Sequence, residues 1–147
     1  METERFIELM GRHLEEEGLP RIAGRLMGAL LINPQPATLD ELAKQLGVSK
    51  ASISSNARLL ETHGIAERVT VPGDRRDFYR LSPNAEQRSL RHQLERHQLL
   101  LERLEVGRAA VCEGEEEVLR RFNSLSEFVG TTLGFLEEAV AKRGKRT

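Results

Sequence analysis

The sequence predicts a mainly α-helical chain with one small β-hairpin, and three observations carry that reading. Thr38–Gly47 and Ser49–Gly64 each open on a cap residue, repeat apolar side chains at helical spacing and end on a glycine. Two short runs, Ile65–Val71 and Asp77–Leu81, flank Pro72-Gly73-Asp74 as strands flank a turn. The flanking stretches, 1–37 and 83–147, show helical periodicity. Two short helices joined by a tight turn and followed by a hairpin make a winged helix-turn-helix.

Each element has its own signal. A first helix spans Thr3–Glu17, with Phe6, Leu9, Met10, His13 and Leu14 as its stripe, and Gly18 stops it. Pro20 opens a second helix, because the N–H it lacks is one that a first turn leaves unpaired. That helix runs to about Asn33 and turns Ile22, Leu26, Ala29 and Leu30 to one face. Gly24 and Gly28, one turn apart, leave room for another helix to approach, as ordinary tight packing rather than a dimer motif. Pro34 and Pro36 then end the helix. Thr38 caps the third helix, Glu41 completes a capping box, and Leu39, Leu42, Ala43 and Leu46 face inward. Gly47 makes the turn, since positive φ carries no steric cost there. Ser49 caps a fourth helix whose Ile53, Ala57 and Leu60 share a face. After the hairpin, Ser82-Pro83 opens a long helix. Its Leu90, Leu94, His97, Leu101, Leu104, Arg108 and Val111 alternate by four and three, a coiled-coil-like seam flawed at His97 and Arg108. Glu113-Gly114 breaks it. A last helix carries Val118, Phe122, Leu125, Val129, Thr132 or Leu133, Leu136 and Val140. The tail, Lys142–Thr147, has nothing to bury and is expected to fray. The chain thus divides into N-terminal helices (1–37), a winged core (38–82) and a C-terminal helical region (83–147).

Composition bounds the function. With 147 residues, 39% hydrophobic and 31% charged, the chain can bury a core without staples. No apolar run approaches the roughly 20 residues of a membrane span. Glu2 and Glu4 stand where a signal peptide carries positive charge, and one cysteine excludes an internal disulfide framework; both point to the cytoplasm. The net charge of −1 is unevenly spread. From Leu42 to Arg80, seven cations face four acids, while Glu15-Glu16-Glu17 and Glu115-Glu116-Glu117 carry the compensating charge. A partner feels the local field, because screening acts over about 8–10 Å, so the expectation is one basic face.

That face suits double-stranded DNA. On a wheel of about 100° per residue, Ala51, Ser55, Arg58 and Thr62 lie opposite Ile53, Ala57 and Leu60, with Ser52 and Ser54 at the flanks. Small side chains let a helix backbone approach base edges, and Arg58 can make a bidentate contact with guanine. Ser49 and Lys50 sit at the helix start, where N–H groups and the dipole favour a phosphate. Arg75 and Arg76, at the hairpin tip, suit the negative potential of a narrow minor groove. Asp74 is expected to pair with one of them and hold the tip in shape.

These segments resemble a known family. GLPRIAGRLMGALL, LDELAKQLGVSKASISSNARLLETHGIAERV and PGDRRDFYRL are similar to the GbsR-type branch of the MarR-like transcriptional regulators, over about Gly18–Leu81. The resemblance implies a homodimeric winged-helix repressor. The helix after Ser49 would enter the major groove, Arg75 or Arg76 the flanking minor groove, and the terminal helices would pair two copies on a near-palindromic operator. The choline sensing of that branch is not carried over. A quaternary ammonium is held by an aromatic cage, whereas this chain has no Trp and its sole Tyr79 lies in the wing. Phe6, Phe122, Phe128 and Phe135 are scattered and read as core.

Other chemistries find little support. Cys112 reads as a packed thiol with no resolving partner, and Glu113 would raise its pKa; two copies of it could meet across a dimer. His92 and His97 point about 140° apart on a helix, so with Glu95 they make no metal site. No Ser-His-Asp order, P-loop or dinucleotide fingerprint suggests an enzyme or a cofactor. Two alternatives stay open: a winged-helix protein-interaction module with a helical assembly tail, and a sensor gated by a small-molecule effector that the residues do not name.

Overall fold

The computed structural model describes residues 2–145. The elements are α1 (Glu2–Glu16), α2 (Arg21–Ile32), β1 (Ala37–Thr38), α3 (Leu39–Leu46), α4 (Lys50–Thr62), β2 (Ala66–Val69), β3 (Phe78–Leu81), α5 (Ala85–Ala109) and α6 (Glu116–Gly144). They form two compact units, Met1–Arg88 and Ser89–Thr147.

In the first unit α2 is the hub. Its Ala23, Leu26, Ala29 and Leu30 join Leu42 and Leu46 of α3, Ile53, Ala57 and Leu60 of α4, and Ala66 and Tyr79 of the sheet in one core. The sequence suggests a single buried face for α2, yet Gly24 and Gly28 are buried as well. The helix is enclosed because α1, α3, α4 and β3 all pack on it. The two glycines meet α1 as expected. A Cβ on Gly24 would collide with the Met10 carbonyl and lie 2.8 Å from Gly11 Cα; one on Gly28 would lie 3.2 Å from Ile7 Cα. This crossing corrects the stripe assigned to α1. Ile7, Gly11 and Leu14 are its buried residues, whereas Leu9 is 51% exposed and His13 faces solvent. Close approach selects the line that includes a glycine over the line richest in large side chains.

The helix-turn-helix forms on its caps. Glu41 N donates to Thr38 Oγ1 (3.2 Å), and Thr38 N donates to Glu41 Oε2 (2.7 Å), closing the capping box. Gly47 takes φ +63°, and Ser49 Oγ accepts from Ser52 N at 3.1 Å. The sheet has three antiparallel strands rather than two, ordered β1-β3-β2. Ala37 pairs with Tyr79 and Thr38 with Phe78, while Arg68 pairs with Tyr79 across the hairpin. A two-residue strand shows no periodicity, and Thr38 serves it while also capping α3.

In the second unit, Leu90, Leu94, His97, Leu101, Leu104 and Val111 are half-buried, as the seam predicts, and none is fully buried. Arg108 is exposed and pairs with Glu105 (2.6 Å). Gly107 fits against Phe122, whose ring atom would lie 2.6 Å from an added Cβ. Gly114, at φ +90°, sits in the loop before α6. Val129 of α6 is buried. Phe128 and Phe135 are not core residues, as the sequence suggests, but 69% and 68% exposed, and Leu125 is also exposed. Cys112 is exposed rather than packed. Lys142 and Arg143 continue α6 instead of fraying, helped by cations favouring a helix C-terminus; Arg146 and Thr147 lie outside the described residues.

Gly24→Ala should lower unfolding stability by roughly 2–4 kcal/mol, because the methyl meets backbone that cannot yield. Gly28→Ala should cost less. Urea unfolding of both variants checks the order.

Candidate nucleic-acid interface

Helix α4 is held by its apolar side. Ile53, Ala57 and Leu60 are sealed in the core, and the 3.6-residue period then forces the other side outward. Ser49, Lys50, Ala51, Ser55, Arg58 and Thr62 are accordingly exposed. Ser52 and Ser54 lie at the flanks of this face. Both are half-buried, and Ser54 Oγ accepts from Arg58 Nη2 at 3.3 Å. Arg58 Nε also reaches the Ser54 carbonyl at 3.4 Å, so the guanidinium lies back along the helix. The amides of Lys50 and Ala51, in the first turn, have no acceptor within the helix.

One α4 residue escaped the sequence reading. Asn56 is buried, donates Nδ2 to the Ser52 carbonyl at 2.8 Å, and keeps Oδ1 sealed without a protein partner. Its place about 60° from Ile53 on the wheel was a usable signal.

The wing tip is organised by Asp74. Its carboxylate accepts from Arg76 Nε (3.0 Å), Arg76 Nη2 (2.7 Å) and the Arg76 amide (2.9 Å). The guanidinium also lies 5.5 Å over the Phe78 ring. The pairing expected of Asp74 is therefore made with Arg76. Arg75 is exposed and, among the described residues, carries no ion pair. Hydrogen bonds from the Arg76 side chain and then its amide pull the Asp74 carboxyl from an ordinary 3.8 down to about 2. At the wing base, Glu67 pairs with Arg80 (2.6 Å) and Arg88 (3.7 Å), and Arg88 donates to Ser82 Oγ (3.0 Å). This cluster spans β2, β3 and the start of α5.

Two recesses join helix and wing. One, about 280 Å³, brings Lys50, Arg75 and Arg76 together beside Asp40 and Asp77. The other, about 380 Å³, is lined by Ser54, Arg58, Glu61, Arg68 and Tyr79. Lys50 pairs with Asp40 (3.1 Å) and Arg68 with Asp77 (3.7 Å), all on exposed side chains. Exposed pairs of this kind contribute little to stability. Tyr79 is buried, which pushes its phenol up, and forms no part of an exposed aromatic cage.

The Asp74 shift is testable by carbon-detected carboxyl titration. A depressed folded value means that the clamp's contribution is fully present above 3.8 and is lost as pH falls through about 2. The titration should centre near 2, and Arg76→Met should return it towards 3.8.

The chain is similar to known proteins in sequence and in fold. The family model described as the MarR family matches residues 17–77. The chain is 34% identical over 143 residues to the HTH-type transcriptional regulator MmpR5 of Mycobacterium tuberculosis, covering 97% of this chain and 87% of that protein. It is 36% identical over 76 residues to the HTH-type transcriptional repressor OpcR of Bacillus subtilis, covering 52% of this chain and 41% of the repressor. A crystal structure described as a transcriptional regulator superposes with a TM-score of 0.91 at 32% identity, covering 99% of both chains.

Proposed function

The chain belongs to the MarR family of winged helix transcriptional regulators, and from that premise we propose that it is a cytoplasmic, homodimeric repressor of the GbsR-type branch that reads double-stranded DNA with α4 and the wing. One observation carries the reading. Burial of Ile53, Ala57 and Leu60 exposes a small-residue helix face beside a wing tip that bears two arginines. Ser49, Lys50 and the free first-turn amides receive a backbone phosphate. Ala51, Ser52, Ser54 and Ser55 keep the helix slim enough for its backbone to approach base edges. Arg58 swings off Ser54 to a guanine edge. Arg76, preset by Asp74, and Arg75, which has no ion pair among the described residues, serve the minor groove.

The dimer reading rests on apolar surface that a single chain leaves in water. Leu125, Phe128 and Phe135 are spaced by three and seven along α6, and Leu9 stands out from α1. Pairing two copies buries that surface. It would set two α4 helices about 34 Å apart, matching successive major grooves and a near-palindromic site.

Arg58→Ala combined with Arg75→Ala and Arg76→Ala should weaken binding to the duplex upstream of the chain's own coding region by roughly 100-fold or more. The loss of charge should also flatten the salt dependence. Unchanged affinity would favour the protein-interaction alternative. Asp74→Ala should also weaken binding, although it removes a negative charge. Phe128→Asp with Phe135→Asp should shift sedimentation from dimer to monomer; a native monomer contradicts the paired arrangement.

A further inference from the structure

We propose that Arg25 is a positioning residue that ties the helix-turn-helix to the N-terminal helix pair and so sets the presentation of α4; the role in DNA binding rests on the function proposed above. Arg25 is one of two cations in the mainly apolar α2, and its side chain is only 21% exposed against 44% for Arg21 in the first turn. Charges are seldom buried so far unless specific partners hold them. Three features of the chain accommodate this one.

The first is a gap. Arg25 crosses α1 at Gly11, where an added Cβ would lie 2.7 Å from Arg25 Cγ. The second is an acceptor placed beside the gap. Glu8, one turn before Gly11, sets Oε1 2.6 Å from Arg25 Nε, an atom sealed from water. The approach is bent away from the N–H axis, so the contact acts mainly as charge pairing. The other Glu8 oxygen accepts from Arg21 Nη2 at 2.8 Å. The Arg21 hydrogen bond, followed by the Arg25 charge, holds the Glu8 carboxyl below its ordinary value.

The third feature links to the site. Arg25 Nη2 donates to the Leu46 carbonyl at 2.9 Å. Leu46 closes α3, and Gly47 begins the turn into α4. Carbonyls at a helix C-terminus lack helical partners and carry the negative end of the dipole, which a guanidinium satisfies. One side chain therefore joins α1, α2 and the end of α3, four residues before α4 begins. A second tie, between Asn33 and Gln45 (3.1 Å), is exposed, so water competes for it. Groove contacts depend on where α4 points, and a loosened turn leaves that direction unset.

The test uses the full chain. Arg25→Met keeps a stem over Gly11 but removes charge and donors, and Arg25→Lys restores the charge as a single point. The direct readout is amide exchange at Gly47 and Val48, which both donate to the Ala43 carbonyl. The second readout is affinity for the duplex upstream of the coding region. In Arg25→Met both amides should exchange about tenfold faster and affinity should fall about tenfold, with α6 amides unchanged and Arg25→Lys intermediate. Native exchange at Gly47 and Val48 in Arg25→Met overturns the tether, whatever the DNA result. Faster exchange with undiminished duplex affinity overturns the positioning role. Faster exchange in a chain whose native form binds no duplex leaves the tether standing and sinks the DNA reading instead. If Arg25→Met does not fold, Glu8→Gln and Arg25→Lys carry the same test, and native exchange in both overturns the proposal.

Discussion

The architecture of the first unit depends on the burial of Ile53, Ala57 and Leu60 of α4 against α2 and α3. Ile53 and Leu60 are, with Leu26 and Leu42, among the largest side chains fully withdrawn from water. Burying each is worth roughly 1.5–3 kcal/mol, far more than any exposed ion pair nearby. Once that face is committed, helical geometry determines which residues remain outside. The polar surface of α4 is thus a consequence of packing on its opposite side, and no polar interaction is needed to turn it outward. The glycine crossing of α1 and α2 supports this by bringing α2 close enough to α1 to serve as a common wall.

The wing adds a different kind of order. Asp74 fixes Arg76 through side-chain and backbone bonds, so the arginine has already lost much of the rotamer freedom that binding would remove. Arg75 keeps that freedom. Adjacent residues of one type therefore differ in physical character, and an Asp in a basic tip helps order it. The Lys50–Asp40 and Arg68–Asp77 pairs are looser and more exposed. They hold cations near the helix–wing recesses without locking them.

Much of this was legible in the sequence. The Thr38–Glu41 capping box, the Gly47 turn, the Ser49 cap and the Asp74 clamp are local, and local chemistry is written in neighbouring residues. The helical seam of α5 and the Gly24–Gly28 approach to a second helix were also readable. What escaped depends on distant partners. β1 exists only because β3 is there to pair with it. The inward face of α1 is chosen by glycines on α2, which is why Ile7 and Gly11, rather than Leu9 and His13, turn inward. Arg25 carries no local signal of its role, because Glu8 and the Leu46 carbonyl come near it only after folding. Phe128 and Phe135 looked like core because aromatic residues usually are, yet α6 leaves them outside in the single chain.

The claim that joins these features is that the outer face of α4 and the wing tip form one surface for duplex DNA. Backbone-amide chemical-shift mapping of the full chain, titrated with the duplex upstream of its coding region, tests it most directly. Perturbations should concentrate in Ser49–Ser55 and Gly73–Arg76, with the exposed α6 residues Phe128 and Phe135 unaffected. Perturbations confined to α6, or none at saturating duplex, would contradict it.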